Sequence, residues 1–181
     1  MLLILDLDET LIHGAEHPLE RPPDFRVGPF HIYARPFLKE FLLGASEMFQ
    51  LAVWSSSTAD YAGAISSAIL PEGLTWEFAW TREHCVPRTN FECMETQYLK
   101  DLKKVKRKGF ALERVLVVDD TSHKLARNYG NAIYVAPFEG DPGDRELHWL
   151  LDYLTTLQHV PNVRVEKRGW RNKVQPRDQR M

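Results

Sequence analysis

Asp6 and Asp8 stand one residue apart directly after the apolar run Leu2-Leu3-Ile4-Leu5, and a second acidic pair, Asp119 and Asp120, follows Val115-Leu116-Val117-Val118. Ser55 follows a third such run, Leu51-Ala52-Val53-Trp54. Short continuous apolar runs read as strands covered on both faces, and in a parallel sheet the reactive groups gather beyond the carboxyl ends of the strands. Carboxylates converging there repel one another unless a hard cation or a proton lies between them, which points to Mg2+. Asp6 and Asp8 could share one side of an extended segment or be splayed by the turn that follows. Such a pair can divide labour: one carboxylate attacks phosphorus, and the other exchanges a proton with the leaving group and then with water. Taken alone, the pair reads equally well as two acids capping a strand end.

A fourth run, Ala132-Ile133-Tyr134-Val135, completes a set of four strands separated by helix-length segments. That alternation predicts an α/β fold, a parallel sheet with helices as crossovers. Pro36 opens a first helix whose Phe37, Leu38, Phe41 and Leu42 share one face, and Ser57 with Asp60 has the spacing of a reciprocal cap before a second, carrying Tyr61, Ala64, Ile65, Ala68 and Ile69. A third helix is predicted over 94–107, with Tyr98, Leu99, Leu102 and Val105 inward and a lysine-rich face in water. A short helix over 122–129 ends at Gly130-Asn131. The last begins with Asp141, Pro142 and Asp144 as capping residues and runs through Leu147, Leu150, Leu151, Leu154 and Leu157. Two stretches interrupt the alternation. Residues 13–34 predict a loop with a small hairpin, and residues 71–93 a short strand around Ala79-Trp80 with a long connection; both could roof a site.

At 181 residues the chain suits about one domain, expected over 1–162 and followed by a basic tail over 163–181. The overall charge of -2 gives no general case for nucleic-acid binding, but it conceals an asymmetry. Residues 164–181 hold seven basic and two acidic side chains, leaving 1–163 at -7. The tail, with Trp170, reads as a solvated end or as a contact for an acidic partner or a nucleic-acid backbone. Cys85 and Cys93 have neither redox nor zinc spacing. No signal peptide or membrane span is legible, so a cytoplasmic location is expected. Oligomeric state is not readable from the sequence.

The string Asp6-Leu7-Asp8-Glu9-Thr10-Leu11-Ile12-His13 closely resembles the DxDxT opening motif of the haloacid dehalogenase-like (HAD-like) phosphatases. Its form is that of the RNA polymerase II C-terminal-domain phosphatase and small C-terminal-domain phosphatase group, also described as NLI-interacting-factor-like. The resemblance continues, in order, through Ala34-Arg35-Pro36-Phe37-Leu38-Lys39-Glu40-Phe41-Leu42, Ala52-Val53-Trp54-Ser55-Ser56-Ser57, Tyr98-Leu99-Lys100-Asp101-Leu102 and Val115-Leu116-Val117-Val118-Asp119-Asp120-Thr121, covering about residues 1–157. It implies a Rossmann-like sheet with helices on both faces and small insertions after strand one and between the second and third motifs.

The resemblance further implies two-step phosphoryl transfer. Asp6 is then the nucleophile that becomes an aspartyl-phosphate. Asp8 is the proton donor and later the base, its backbone carbonyl helping to hold Mg2+, and Thr10 braces the motif. Ser55, with Ser56 and Ser57 as alternatives, holds phosphoryl oxygens. Lys100, with Lys103 and Lys104 as alternatives, neutralises charge around the nucleophile. The metal set is Asp6, Asp8, Asp119 and Asp120, with Asp120 the more direct ligand and Asp119 positioning a water or donor. Arg35 supports the site or fixes the strand-to-helix junction, and His13 lines the entrance or is a polar turn residue.

The expected activity is a Mg2+-dependent phosphomonoester hydrolase acting on phosphoserine or phosphothreonine in a phosphoprotein partner. The segment between the first motif and Arg35 appears shorter than the three-stranded insertion usual in the small C-terminal-domain phosphatases, which helps form their peptide groove. A small-molecule or nucleic-acid-end phosphatase, a phosphotransferase and a catalytically silent phosphoprotein-binding module therefore remain as alternatives.

Overall fold

A computed structural model of the protein describes residues 1–90 and 95–166. The four apolar runs form the expected parallel strands: β1 (Leu2–Leu5), β5 (Gln50–Trp54), β9 (Val115–Asp119) and β10 (Ala132–Tyr134). With β6 (Ala79–Trp80) they make a five-stranded parallel sheet in the order β10-β9-β1-β5-β6, which places β1 in the centre.

The period-2 alternation of a strand sends neighbouring side chains to opposite faces, and here both faces are buried. Leu3, Leu5, Leu51, Val53, Leu116 and Val118 enter one core, and Leu2, Ile4, Ala52, Trp54, Val115 and Val117 enter the other. The first core is covered by α1 (Leu38–Ser46), α2 (Ala59–Ile69) and α4 (Glu146–Thr155), through Phe41, Leu42, Ile65, Leu147, Leu150 and Leu154. The second is covered more thinly, by Val105 of α3 (Lys103–Arg107), by Leu102 before it and by Leu125 of the 3-10 turn Ser122–Leu125. Helices on both faces of a parallel sheet are the Rossmann-like HAD arrangement. No helix among the described residues is long and apolar enough to cross a membrane.

Several local expectations are corrected. Residues 13–34 contribute more than a small hairpin. β2 (Ile12–Ala15), β3 (Phe25–Val27) and β4 (Phe30–Ala34) form a three-stranded antiparallel sheet in the order β2-β4-β3, so the insertion has all three strands. The helix expected over 94–107 is mostly another hairpin. β7 (Val86–Asn90) pairs with β8 (Glu95–Leu99), and only Lys103–Arg107 is helical. Tyr98 and Leu99 fit a 3.6-residue stripe and a strand end equally, and ladder pairing to Pro87 and Val86 decides.

The caps differ as well. Thr58, not Ser57, is the N-cap of α2, without a side-chain cap bond, because the Ser57 hydroxyl donates elsewhere. Asp141 accepts the Gly143 N–H in a turn, and α4 starts only at Glu146, whose N–H donates to Asp144. Packing runs through Val163, which is fully buried in α5 (Val163–Glu166), just past the expected boundary at 162. The rest of the basic tail, Trp170 and Cys93 lie outside the described residues.

Candidate active site

Strand parity brings the first two acids together. Leu2, Ile4 and Asp6 alternate onto one side of β1 and its extension, and Val115, Val117 and Asp119 onto the same side of β9. The register pairs Leu5 with Val118, and the Asp6 N–H donates to the Val118 carbonyl at 3.0 Å, so Asp6 and Asp119 arrive side by side. Both are essentially inaccessible to water.

Two lysines make that juxtaposition tolerable. Lys100 Nζ is 2.9 Å from Asp6 Oδ1 and 2.6 Å from Asp119 Oδ2, and its own side chain is fully buried. Lys124 Nζ is 2.7 Å from Asp6 Oδ2, 3.6 Å from Asp119 Oδ1 and 3.7 Å from Asp120 Oδ1. A backbone bond from the Lys100 N–H to the Lys124 carbonyl, 2.8 Å, ties the two lysine segments together. Burial works against the charged form of Asp6, but the two ammonium groups outweigh it and hold its carboxyl below the usual range. At Asp119, burial and the Asp6 charge prevail over the same lysines and push its carboxyl up to about 6. Lys124 is held far above its ordinary value, burial opposing and the surrounding carboxylates prevailing.

Lys100 thus occupies the position that the sequence suggested, although at the end of a strand and not on a helix. Lys103 and Lys104, its alternatives, lie in α3. Lys124 was missed. It was read within a short helix, and its spacing of four residues from Asp120 was the available signal.

Asp8 goes the other way. After Leu7 the chain turns tightly: the Thr10, Leu11 and Ile12 N–H groups all donate to the Leu7 carbonyl, and Glu9 sits at φ 58°. This left-handed conformation is costly for a residue with a Cβ and is held here by the surrounding bonds. The Asp8 side chain bonds toward α2 and not to the lysines. There Ser57 Oγ donates to Asp8 Oδ2 at 2.7 Å and Tyr61 Oη donates to Asp8 Oδ1 at 2.9 Å. Burial, and then the Asp8 charge, push the Tyr61 phenol up, so it remains a donor. Gly14 makes room, since a Cβ there would stand 2.5 Å from the Tyr61 hydroxyl. Tyr61 had been read as part of an apolar helix face; its polar tip, not its ring, serves the site.

The remaining residues hold this frame. The Asp120 N–H donates to Thr10 Oγ1 at 3.1 Å, tying the first acidic motif to the second. Arg35 spends its guanidinium on structural partners. Its Nε and Nη2 donate to both oxygens of Asp144 at 2.9 and 2.7 Å, and Nη1 donates to the Thr10 carbonyl at 3.0 Å. It is a buried clamp between the motif loop and the start of α4. Ser55 is buried, its Oγ accepting the Ser57 N–H at 3.0 Å, while Ser56 gives only its carbonyl, to Arg82. His13 pairs with Glu9.

Asp6, Asp119 and Asp120 each present one oxygen within 4.8 Å of the others, the group best suited among the described residues to a metal ion. An all-carboxylate set suits a hard cation such as Mg2+. Asp6 Oδ1, buried and without a well-aligned hydrogen bond despite its nearby lysine, retains a lone pair for such an ion. The side chain of Asp8, whose backbone carbonyl was the atom expected to help hold the metal, is not in this group; Ser57 and Tyr61 hold it.

Beside Asp8 opens a cleft of about 350 Å3, bounded by Gly14 and Phe30 of the antiparallel insertion, by Ser57, Thr58 and Tyr61, and by Arg82.

Comparison with known proteins agrees with this architecture. The chain is 33% identical over 171 residues to a probable C-terminal domain small phosphatase of Dictyostelium discoideum, covering 90% of this chain and 52% of that protein. It is 29% identical over 168 residues to the human carboxy-terminal domain RNA polymerase II polypeptide A small phosphatase 1, covering 89% and 60%. A CTD small phosphatase-like protein 2 of Dictyostelium discoideum is 31% identical over 169 residues, 90% of this chain but 28% of its own length. The chain therefore spans between about a quarter and three fifths of these relatives. Among solved structures, the fission yeast RNA polymerase II CTD phosphatase Fcp1 bound to beryllium fluoride shares the fold, with a TM-score of 0.57 at 22% identity over 94% of this chain and 53% of that one. The family model described as NLI interacting factor-like phosphatase matches residues 1–164, and the chain belongs to that family.

Proposed function

We propose that the protein is a Mg2+-dependent phosphomonoester hydrolase working through an aspartyl-phosphate on Asp6, with phosphoserine or phosphothreonine in proteins as substrate. The observation that carries this reading is the unequal treatment of two acids two residues apart. Asp6 is fixed between two ammonium groups, and Asp8 is turned toward neutral hydroxyls at the edge of an open cleft.

In the first step an Asp6 oxygen attacks phosphorus and the ester P–O bond breaks, while Asp8, entering as the acid, gives its proton to the departing serine or threonine oxygen. In the second, Asp8 takes a proton from water as that water attacks the same phosphorus. The acyl-phosphate P–O bond breaks, which returns Asp6 as carboxylate and releases inorganic phosphate. A carboxylate approaching a phosphate dianion meets like charge, and the buried Lys100 reduces that repulsion from the enzyme's side. Mg2+, held by Asp6, Asp119 and Asp120, would neutralise phosphoryl charge. Thr10 keeps the two acidic motif loops in register and Arg35 fixes the first of them to the start of α4, and Ser55 with neighbouring N–H groups is assigned to the phosphoryl oxygens.

A protein substrate is supported by the names of the relatives and by the three-stranded insertion, whose Gly14 and Phe30 form one side of the cleft beside Asp8. The experiment is phosphate release from phosphopeptides, phosphorylated metabolites and 3′-phosphorylated DNA, each with Mg2+ or chelator and with Asp6→Asn as control. Mg2+-dependent peptide turnover that the variant lacks is expected. Turnover of metabolites or nucleic-acid ends alone would discard the protein substrate, and phosphoprotein binding without turnover would discard the enzyme.

A further inference from the structure

Lys124 is the one described side chain in ion-pair contact with all three candidate metal ligands, Asp6, Asp119 and Asp120. Its ammonium group therefore stands among the oxygens that a divalent cation would bind. We propose that Lys124 is a resident internal cation of this carboxylate triad, displaced when Mg2+ enters, so that the protein's own lysine sets its metal affinity. This rests on the reading of the triad as a Mg2+ site.

Three features carry the inference. The first is distance. Mg2+ holds its oxygen ligands at about 2.0–2.1 Å in near-octahedral geometry, which leaves little freedom for a second cation touching the same three carboxylates. The second is charge. Three carboxylates against Lys100 and Lys124 leave a local balance of -1, which a divalent ion would overshoot; with Lys124 withdrawn the balance is -2, which the ion matches. The third is the unequal freedom of the two lysines. The Lys100 side chain is fully buried, whereas that of Lys124 keeps 14% of its surface in solvent and springs from a short 3-10 turn, so Lys124 is the one with a way out. While Mg2+ is absent the lysine also serves stability, because it keeps two buried acids and their neighbour from repelling one another.

The test is Mg2+ binding by titration calorimetry on the full chain, comparing wild type, Lys124→Met and Lys124→Arg. Displacement predicts that Lys124→Met binds Mg2+ more tightly by on the order of tenfold or more, because the ion no longer evicts a like charge. Lys124→Arg, which keeps the charge, should stay near wild type. The melting temperature of Lys124→Met should be lower than wild type without metal and rise more on adding Mg2+. A readout that requires no variant is amine labelling of the wild type followed by peptide mass analysis, in which Lys124 should be labelled faster with Mg2+ than with chelator. Unchanged or weaker Mg2+ binding in Lys124→Met, or equal labelling in the two conditions, would overturn displacement while leaving the metal site intact. Absence of Mg2+ binding in wild type and Lys124→Met alike would overturn the metal reading and this inference with it.

Discussion

Asp6 and Asp8 have the same side chain and lie two positions apart, yet their surroundings have almost nothing in common. Asp6 is buried and held by charge, with Lys100 and Lys124 ammonium groups at 2.9 and 2.7 Å. Asp8 is only partly buried and is held by neutral hydroxyls, those of Ser57 and Tyr61. An ammonium group rewards only the ionised carboxylate. A hydroxyl can accept from a carboxylic acid as well as donate to a carboxylate, so a group held by hydroxyls can change its proton content without losing its place. On the proposed reading the difference suits Asp6 to the nucleophile's part and Asp8 to the proton carrier's, and it is found where the chain leaves β1 for the tight turn that contains Glu9.

The severest way to break the comparison is to neutralise Asp6. Asp6→Asn keeps the shape and removes the attacking charge, so turnover of a phosphopeptide should fall by roughly 10^4-fold or more, as when a covalent nucleophile is deleted. A residual rate within tenfold of wild type would transfer the nucleophile's role elsewhere, first to Asp119, the other described carboxylate in contact with both lysines.

Asp8→Asn should cost less, about 10^2- to 10^4-fold, the range for general acid-base catalysis. It also has a signature that Asp6→Asn lacks. A phenolate leaving group departs without a proton, so with p-nitrophenyl phosphate the first step should be spared and the second should remain slow. A burst of nitrophenolate equal to the enzyme concentration, followed by slow turnover, is the expected trace. Turnover of p-nitrophenyl phosphate near the wild-type rate with no burst would confine Asp8 to proton donation in the first step, and equal slowing of both substrates with no burst would rule out proton donation as its role there.

That division was only half legible in the sequence. The four apolar runs and the acids at their ends specify strands and strand-end positions through local pattern, and Asp6 and Asp119 come together through parallel pairing with parity, whereas Lys100 arrives from the end of a separate antiparallel hairpin. What local pattern does not contain is where a side chain turns when two uses compete. Ser57 has the spacing of a helix cap and spends its hydroxyl on Asp8. Tyr61 has the spacing of a core residue and uses its ring for one purpose and its hydroxyl for another. Lys124 lies in a turn too short to show a periodicity. Asp144 was read as a cap and indeed accepts the Glu146 N–H, but its larger role is to receive Arg35. The insertion was underestimated for a related reason: β2 and β3 are four and three residues long, and only β4 alternates over enough positions to be seen.

Lys100→Met probes the Asp6 side of the comparison without touching either acid. It should lower turnover by on the order of 10^2- to 10^3-fold, the scale of losing one preorganised charge from a developing transition state. It should also lower the melting temperature, because Asp119 loses its contact at 2.6 Å and remains fully buried. A loss of stability with full activity would make Lys100 structural and not an electrostatic partner of the nucleophile.

Tyr61→Phe is the gentlest probe, and it tests the Asp8 side. The ring and its packing against Phe30 are retained, and only the hydroxyl that donates to Asp8 Oδ1 at 2.9 Å is lost. Ser57 still holds the other oxygen at 2.7 Å, so Asp8 keeps one anchor and the fall in kcat should be about tenfold, the low end of the range for one hydrogen bond to a charged group. KM should hardly change if Tyr61 acts through Asp8 and not on the substrate. Adding Ser57→Ala should then cost more than the sum of the two single effects, because the second anchor is the one whose loss frees the carboxylate to turn back toward the lysines. If Tyr61→Phe alone were as damaging as Asp8→Asn, the two hydroxyls would not be sharing one task. The contrast between a charge-held and a hydroxyl-held acid would then reduce to a single phenol.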